Sequence, residues 1–401
     1  MLSGEELAAE LRAKAAGMGV GAIGFAAASP MEAARRAIEE RKAAGFDAGM
    51  QFTYRAPGRS TDPSTALPGA VSLVVCAWPY GPARTSSNEP LTIGQPVDPG
   101  QPVDAGRPMA TVARYARKDH YADLRAALSA LLAVLRAHGW RARVLVDDNA
   151  LVDRAAAHRA GLGWFGKNCN ILLPEKGSWF VLGSVVTDAP LPHDDPVPDG
   201  CGDCRRCHLA CPTGALVGPG VLDARKCLAW LLQAPGPFPF EYREALGGRI
   251  YGCDDCQSSC PVNVRAARDA PSGESTEVSR LSGSGTSVDA PGVDVLELLS
   301  MTDAELLARY GRWYIPSRDP RYLRRNALVV MGNVADPLDA GVEAALLSYL
   351  RHPDQLLRAH AVWAALRLGR GDLVDATQTE GAGIAPAVRQ ELERREEVVA
   401  R

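Results

Sequence analysis

The chain has 401 residues, enough for two or three domains with a substantial buried core. Its 46% hydrophobic and 23% charged residues are those of a globular protein, and a formal charge of −3 excludes a non-specific nucleic-acid binder, so any such contact must be a local patch. No apolar run reaches the roughly 18 residues of a membrane span, and the N-terminal MLSGEELAAELRAKA carries early acids without the apolar stretch of a secretory signal.

In chain order, amphipathic helices are expected at 3–17 and 30–45, the first opened by a Ser3/Glu6 capping box. Segments 19–25 and 71–78 read as buried strands, with a basic, aromatic loop at 49–63 between them. Residues 82–108 are rich in Pro and Gly, with the near-repeat GQPVDPGQPVDAG, and read as an exposed excursion. Helix 119–138, strand 142–146, helix 150–161 and strands 171–173 and 179–187 follow. This alternation predicts an α+β or α/β domain over 1–190. A ferredoxin-like two-cluster module is expected over 191–265, then a Ser/Gly/Asp linker over 266–293. Residues 294–401 read as all helix, at 294–300, 302–310, 321–333, 338–350, 354–368 and 384–400, a paired pattern that suggests a HEAT-like domain.

Eight of the ten cysteines fall into two groups. Cys201, Cys204, Cys207 and Cys211 run C-x2-C-x2-C-x3-C and end at Pro212. Cys227 stands alone before Cys253, Cys256 and Cys260, which end at Pro261. In two-cluster ferredoxins the fourth Cys of such a run ligates the other cluster. The spacing therefore assigns Cys201, Cys204, Cys207 and Cys260 to one 4Fe-4S cluster and Cys211, Cys227, Cys253 and Cys256 to a second. Structural zinc is the competing reading of C-x2-C pairs, but it has no use for the interleaved x3-C-P. Ten cysteines without a secretion signal point to a reducing, cytoplasmic setting in which thiolates hold metal. Cys76, inside a predicted strand, reads as core, and Cys169 as packing.

A second stretch, VDDNALVDRAAAHRAGLGWFGKNCNILL (146–173), places Asp147 at a strand end and a glycine-rich turn after the next helix. By themselves these could be a helix cap and ordinary turn glycines. The ordered set VDD, AGLGWFGKN, GSWFVLG, CGDCRRCHLACPTGAL, LDARKC and RIYGCDDCQSSCPVN resembles the epoxyqueuosine reductase family. The likeness is dense over 143–263, recognisable at 16–80 and present again at 294–370.

The resemblance implies a cobalamin-dependent, two-cluster oxidoreductase acting on tRNA in the last step of queuosine synthesis. It implies Asp147 as proton donor over the corrin, and the cobalamin-lining positions Arg59, Ala113, Asp147, Ile171, Leu182, Ala229 and Asp254. It also implies a low-potential electron donor as partner; no membrane partner is expected, and a monomer is. Two departures stand out: Asp148 follows the key acid where the family has a small or hydroxyl residue, and YARKDHY (115–121) exchanges His120 and Tyr121 relative to the family's Tyr-His order.

For the tRNA, Arg309, Arg312, Arg318, Arg321, Arg324 and Arg325 cluster against one acid, Asp319, with Trp313 and Tyr314 interleaved. Arg312, Arg321, Arg324 and Arg325 are the expected contacts, because arginine with aromatics suits phosphate contact and base stacking. Two other readings remain open here. A reductive-dehalogenase-like corrinoid enzyme shares the cluster module but usually carries a twin-arginine leader and lacks the helical tail. A ferredoxin-like electron carrier would bind clusters but neither corrin nor tRNA.

Overall fold

The computed structural model describes residues 2–81, 107–269, 292–378 and 385–399. The chain divides into two compact units: Met1–Ile93, Lys118–Arg225 and Asp255–Gly285 form the first, and Gly94–Arg117, Lys226–Asp254 and Thr286–Arg401 the second. This differs from the expected succession of three domains and a linker. The cysteine-rich stretch is divided between the units, and the predicted linker begins inside a helix, Pro261–Asp269, and ends inside a strand, Gly292–Asp294. The 82–106 part of the predicted excursion and the 270–291 part of the linker lie outside the described residues.

The strands are β1 (Ala22–Ala27), β2 (Ser72–Pro79), β3 (Met109–Val112), β4 (Ala142–Val146), β5 (Trp164–Phe165), β6 (Ile171–Leu172), β7 (Phe180–Thr187), β8 (Leu216–Gly218), β9 (Val221–Leu222), β10 (Arg249–Tyr251) and β11 (Gly292–Asp294). The first unit is built on a sheet of order β1-β2-β7-β4 whose three pairings are all antiparallel. The fold of this unit is thus α+β; the α/β alternative, which needs parallel neighbours, is corrected. The β1–β2 connection holds two helices, Glu32–Ala43 and Pro57–Ser60, and not the single return helix that brings a chain back parallel.

Period-two alternation gives this sheet two apolar faces. Leu73, Val75, Ala77, Leu145 and Val186 pack against Ala155, Ala156 and Ala157 of the helix Asp153–Arg159. Val74, Cys76, Val146, Val181 and Val185 pack against Leu7 and Leu11 of Gly4–Gly17 and Leu124, Leu128 and Leu131 of His120–Ala137. Cys76 is fully buried there, and burial pushes its thiol up to about 12. Ser3 and Glu6 form the expected capping box.

The second unit joins a sheet of order β10-β3-β11 to a set of helices. The helices start where polar side chains satisfy free N–H groups: Asp294, Thr302, Asp339 and Asp354 cap Val295–Ser300, Asp303–Tyr310, Ala340–Leu350 and Gln355–Arg367. Their core includes Leu298, Leu328, Val342, Leu346, Val362 and Leu366. An all-helix reading of this region missed β11 and the helix Gly371–Gln378. No described helix is long and apolar enough to cross a membrane.

Candidate active site and cluster-binding segment

Cys201, Cys204, Cys207 and Cys260 of the first unit lie within electrostatic reach of one another, although among the described residues no group of three or more is spaced to hold a metal ion. Cys207 sits in the short helix Arg206–Leu209, and Cys260 precedes the helix Pro261–Asp269. Burial raises the Cys207 thiol, and the neighbouring Cys260, Cys201 and Cys204 raise it further. Cys260 is raised by burial in the same way, with Cys201 and Cys204 again adding to the rise, while the backbone N–H groups of Asn263 and Val262 oppose it. The Nε1–H of Trp164 donates to Cys201 Sγ at 3.4 Å. Buried thiols such as Cys207 and Cys260 resist losing their protons unless a metal centre supplies positive charge. Thiolate donors ringed by N–H groups have the chemistry of an iron–sulfur cradle, so this donor set fits the cluster assigned to it.

The hairpin β5–β6 stands beside these thiols. Its pairs are Trp164↔Leu172 and Phe165↔Ile171. Trp164 and Leu172 pack with Cys260, Val262 and Cys201, while Ile171 belongs to the core under the main sheet. One two-stranded element therefore carries a face turned to the thiols and a residue turned to the sheet. Asn168 Nδ2 donates to Cys256 O at 3.2 Å, and Lys167 Nζ bonds Gly202 O, fixing the hairpin turn to the cysteine loops. Glycine is needed at Gly163, where a Cβ would strike the Leu172 carbonyl.

For the second ligand set, Cys211 and Cys256 lie in the first unit and Cys227 and Cys253 in the second. The Cys211 sulfur accepts the N–H of Ala215 at 3.2 Å.

Asp147 follows β4 directly and takes a left-handed backbone, φ +51°. Asp tolerates this region better than most side chains, and such strain is held where surrounding structure imposes it. The last β4–β7 pair is Val146↔Gly183, so Asp147 leaves the sheet beside Leu182. Ser60 Oγ donates to the Asn149 carbonyl at 2.6 Å, which clamps the loop after Asp147 to the Pro57–Ser60 helix. Arg59 on that helix is exposed.

Asp147 is exposed by residue surface, yet the groups crowded around its carboxyl partly desolvate it and raise its pKa; Arg125 opposes the rise and Asp148 adds to it. Asp148 acts on the site only through its charge: its Oδ1 accepts the N–H of Ala150 at 2.9 Å and its Oδ2 lies 3.9 Å from Arg143. Asp153, not singled out in the sequence, has its carboxyl raised well above the usual range, by burial first and then by Asp147. Burial, then Asp147, Asp153 and Tyr80, raise the Tyr121 phenol. The His120 ring lies tilted against Tyr80, with ring centroids 5.6 Å apart, and Gln257 Nε2 donates to the Tyr80 hydroxyl at 3.2 Å. In the exchanged His120–Tyr121 pair it is the Tyr121 phenol whose pKa Asp147 raises. Cys169 sits in the hairpin turn at φ +66°.

In the second unit, Ala113 is buried and donates its N–H to Tyr251 O at 2.9 Å. Ala229 lies in the helix Leu228–Leu231, and Asp254 Oδ2 accepts the N–H of Arg114 at 2.6 Å. The four arginines expected at tRNA differ sharply. Arg312 is exposed, with one guanidinium nitrogen donating to Arg117 O at 2.7 Å. Arg321 pairs with Asp319 at 2.8 Å and keeps 42% of its side chain exposed, whereas Arg324, tied to Asp303 and Met301, keeps only 12%. Arg321 and Arg324 line a polar cleft of about 500 Å³ with Asp303, Asp319, His352 and Asp354.

Arg325 is a correction. It is fully buried and donates to the carbonyls of Ala234, Gly236 and Leu231 at 2.6–3.0 Å, so it braces the second unit and reaches no phosphate. A charge run on a helix gives no sign of which arginine turns inward; the neighbouring positions Tyr322, Leu323 and Asn326 to Leu328 all prove buried.

Comparison with known proteins adds independent support. Residues 200–263 match the family model described as a 4Fe-4S double cluster binding domain. The chain is 31% identical over 398 residues to the epoxyqueuosine reductase of Bacillus cereus, covering 97% of this chain and 93% of that protein. It is 34% identical over 336 residues to the epoxyqueuosine reductase of Pseudomonas aeruginosa, covering 81% and 85%. Among solved structures it resembles a crystal structure of selenomethionine-labelled epoxyqueuosine reductase, with TM-score 0.82 at 28% identity over 98% of this chain and 99% of the other. It is similar also to a crystal structure of epoxyqueuosine reductase with a tRNA-Tyr epoxyqueuosine-modified stem loop, with TM-score 0.81 at 28% identity over 99% of both chains.

Proposed function

Because the chain belongs to the epoxyqueuosine reductase family, we propose that it reduces the epoxide of epoxyqueuosine in tRNA with Asp147 as proton donor, cobalamin as resident cofactor and two iron–sulfur clusters as its electron supply. The conversion of epoxide to alkene consumes two electrons and two protons and releases the oxygen as water. When bound, cobalamin supplies low-valent cobalt, a strong nucleophile toward the carbon–oxygen bond, and that chemistry belongs to the cofactor. A tRNA substrate and thiolate ligands fit work in a reducing cytoplasm.

The observation that carries the reading is Asp147 itself: an acid held in left-handed backbone at a sheet end, with its carboxyl kept protonated to higher pH by burial and by Asp148. Its role is to hand a proton to the departing oxygen. Ser60 keeps that loop in register through Asn149. Leu182 lies beside the point where Asp147 leaves the sheet, and Ile171 and Arg59 are further positions proposed to line the corrin. Ala113, Ala229 and Asp254 are the other positions proposed for cobalamin. The substrate base must leave its stack to reach such a site, which an anticodon loop allows more readily than a duplex.

The test is anaerobic reconstitution with iron, sulfide and cobalamin, followed by incubation with an epoxyqueuosine stem-loop and a low-potential one-electron reductant. Conversion is read by mass spectrometry as loss of one oxygen. Clusters without cobalamin uptake, or uptake without conversion, would sink the proposed chemistry.

For the tRNA itself, Arg312 and Arg321 are the proposed phosphate contacts, since both reach solvent. The double charge reversal Arg312→Glu with Arg321→Glu should weaken stem-loop binding and lower the slope of log K against log salt by about one per lost contact. An unchanged slope in a filter-binding series would move the tRNA surface elsewhere.

A further inference from the structure

The indole of Trp164 is buried, 7% exposed, and its N–H points at one acceptor, Cys201 Sγ, at 3.4 Å. The ring is held from two sides. Trp164 pairs with Leu172 across the β5–β6 hairpin, and Gly200 lies so close that a Cβ there would sit 2.7 Å from the indole. Gly200 therefore lets the ring lie flat against the strand of chain that delivers Cys201. Packing alone would be served by any aromatic side chain. The indole also brings a donor to this sulfur, and a buried indole N–H is rarely left without a partner.

We infer that Trp164 is a positioning and tuning residue that sets the reduction potential of the cluster held by Cys201, Cys204, Cys207 and Cys260. The inference rests on the proposed cluster assignment and concerns only how one ligand is tuned. Reduction adds one electron to the oxidised cluster and moves no proton from the indole. The added charge is spread over the sulfurs, so a donor aimed at one of them stabilises the reduced state more than the oxidised state. Burial makes that N–H···S bond electrostatically stronger than it would be in water. Removing it should make the cluster harder to reduce, and electrons should then pass through it less readily.

The experiment is a potentiometric titration of the reconstituted full chain followed by EPR, with dithionite as reductant, on the wild-type protein and on Trp164→Phe. Phenylalanine keeps an aromatic ring in the hairpin and lacks the donor. The expected result is an unchanged iron content with both signals present, and a midpoint shifted negative by about 59 mV, a tenfold change in the reduction equilibrium. The shift should be confined to the signal that a Cys201 or Cys260 variant removes. An unshifted midpoint in a fully loaded Trp164→Phe protein overturns this inference alone, whereas a wild-type chain that assembles no iron–sulfur cluster overturns the cluster assignment with it. Should Trp164→Phe fail to assemble, the unaltered chain labelled with indole-15N tryptophan serves. A 15N hyperfine coupling to the reduced cluster of Cys201 and Cys260 supports the bond, and its absence overturns it.

Discussion

Asp147→Asn yields a chain that folds and takes up cobalamin but turns over at least about a hundred-fold more slowly, the lower range of what a positioned proton donor contributes. The substitution suits the question because asparagine accepts left-handed backbone as readily as aspartate, so φ +51° is no obstacle to it. Alanine at the same position would mix strain with chemistry. Cobalamin uptake is read by absorbance and turnover by loss of the epoxide oxygen.

The pH dependence gives a second reading of the same group. Burial raises the Asp147 pKa, so the acid form persists to higher pH than for an ordinary carboxyl, and activity should fall as pH rises through that raised value. Arg125 holds the value down, so Arg125→Ala should move the alkaline limb upward; Asp148 pushes it up, so Asp148→Asn should move the limb downward. Full activity in Asp147→Asn, or limbs that ignore both neighbours, would remove Asp147 from the proton transfer.

Cys260→Ala should abolish turnover and cut the iron content to about half, because one of two equal clusters loses a ligand. Cys260 is 8% exposed and packs with Trp164, Leu172 and Val262, so no outside ligand can readily take its place. The interleaved assignment makes a sharper demand. Cys201→Ala and Cys260→Ala should remove the same EPR signal although 59 residues separate them (260 − 201). Cys256→Ala, only four positions from Cys260, should remove the other. If Cys256 and Cys260 variants instead lose one common signal, the clusters are ligated by sequential blocks and the crossed scheme is wrong.

Much of this protein was legible before any coordinates. The cysteine spacing is short-range information: C-x2-C-x2-C leaves few ways to place its thiolates, and a fold need only bring Cys260 to them. β4 was legible to the residue, because a short stretch rich in β-branched and aliphatic residues, interrupted only by the exposed Arg143, is bounded by Arg141 and the Asp147–Asp148 pair. Capped helices such as Gly4–Gly17 and Asp303–Tyr310 were readable for the same reason, since a capping box is complete within four residues.

The tertiary structure decided what depends on partners far apart in the chain. Helix and strand alternation looks the same whether neighbours run parallel or antiparallel, and only pairing made the β1-β2-β7-β4 sheet antiparallel. β3 is four residues long and gains its identity from β10 and β11, whose sequences lie well over a hundred residues away. Arg325 and Arg321 are indistinguishable as letters in a basic run, yet one is buried against backbone carbonyls and the other reaches solvent. Trp164 likewise reads as one more aromatic in a glycine-rich turn until the fold sets its N–H against Cys201. The sequence by itself pointed to the family and to an iron–sulfur segment, because those are written in residue type and local spacing. Which side chains face that chemistry was left to long-range packing, where burial and hydrogen-bond partners are assigned.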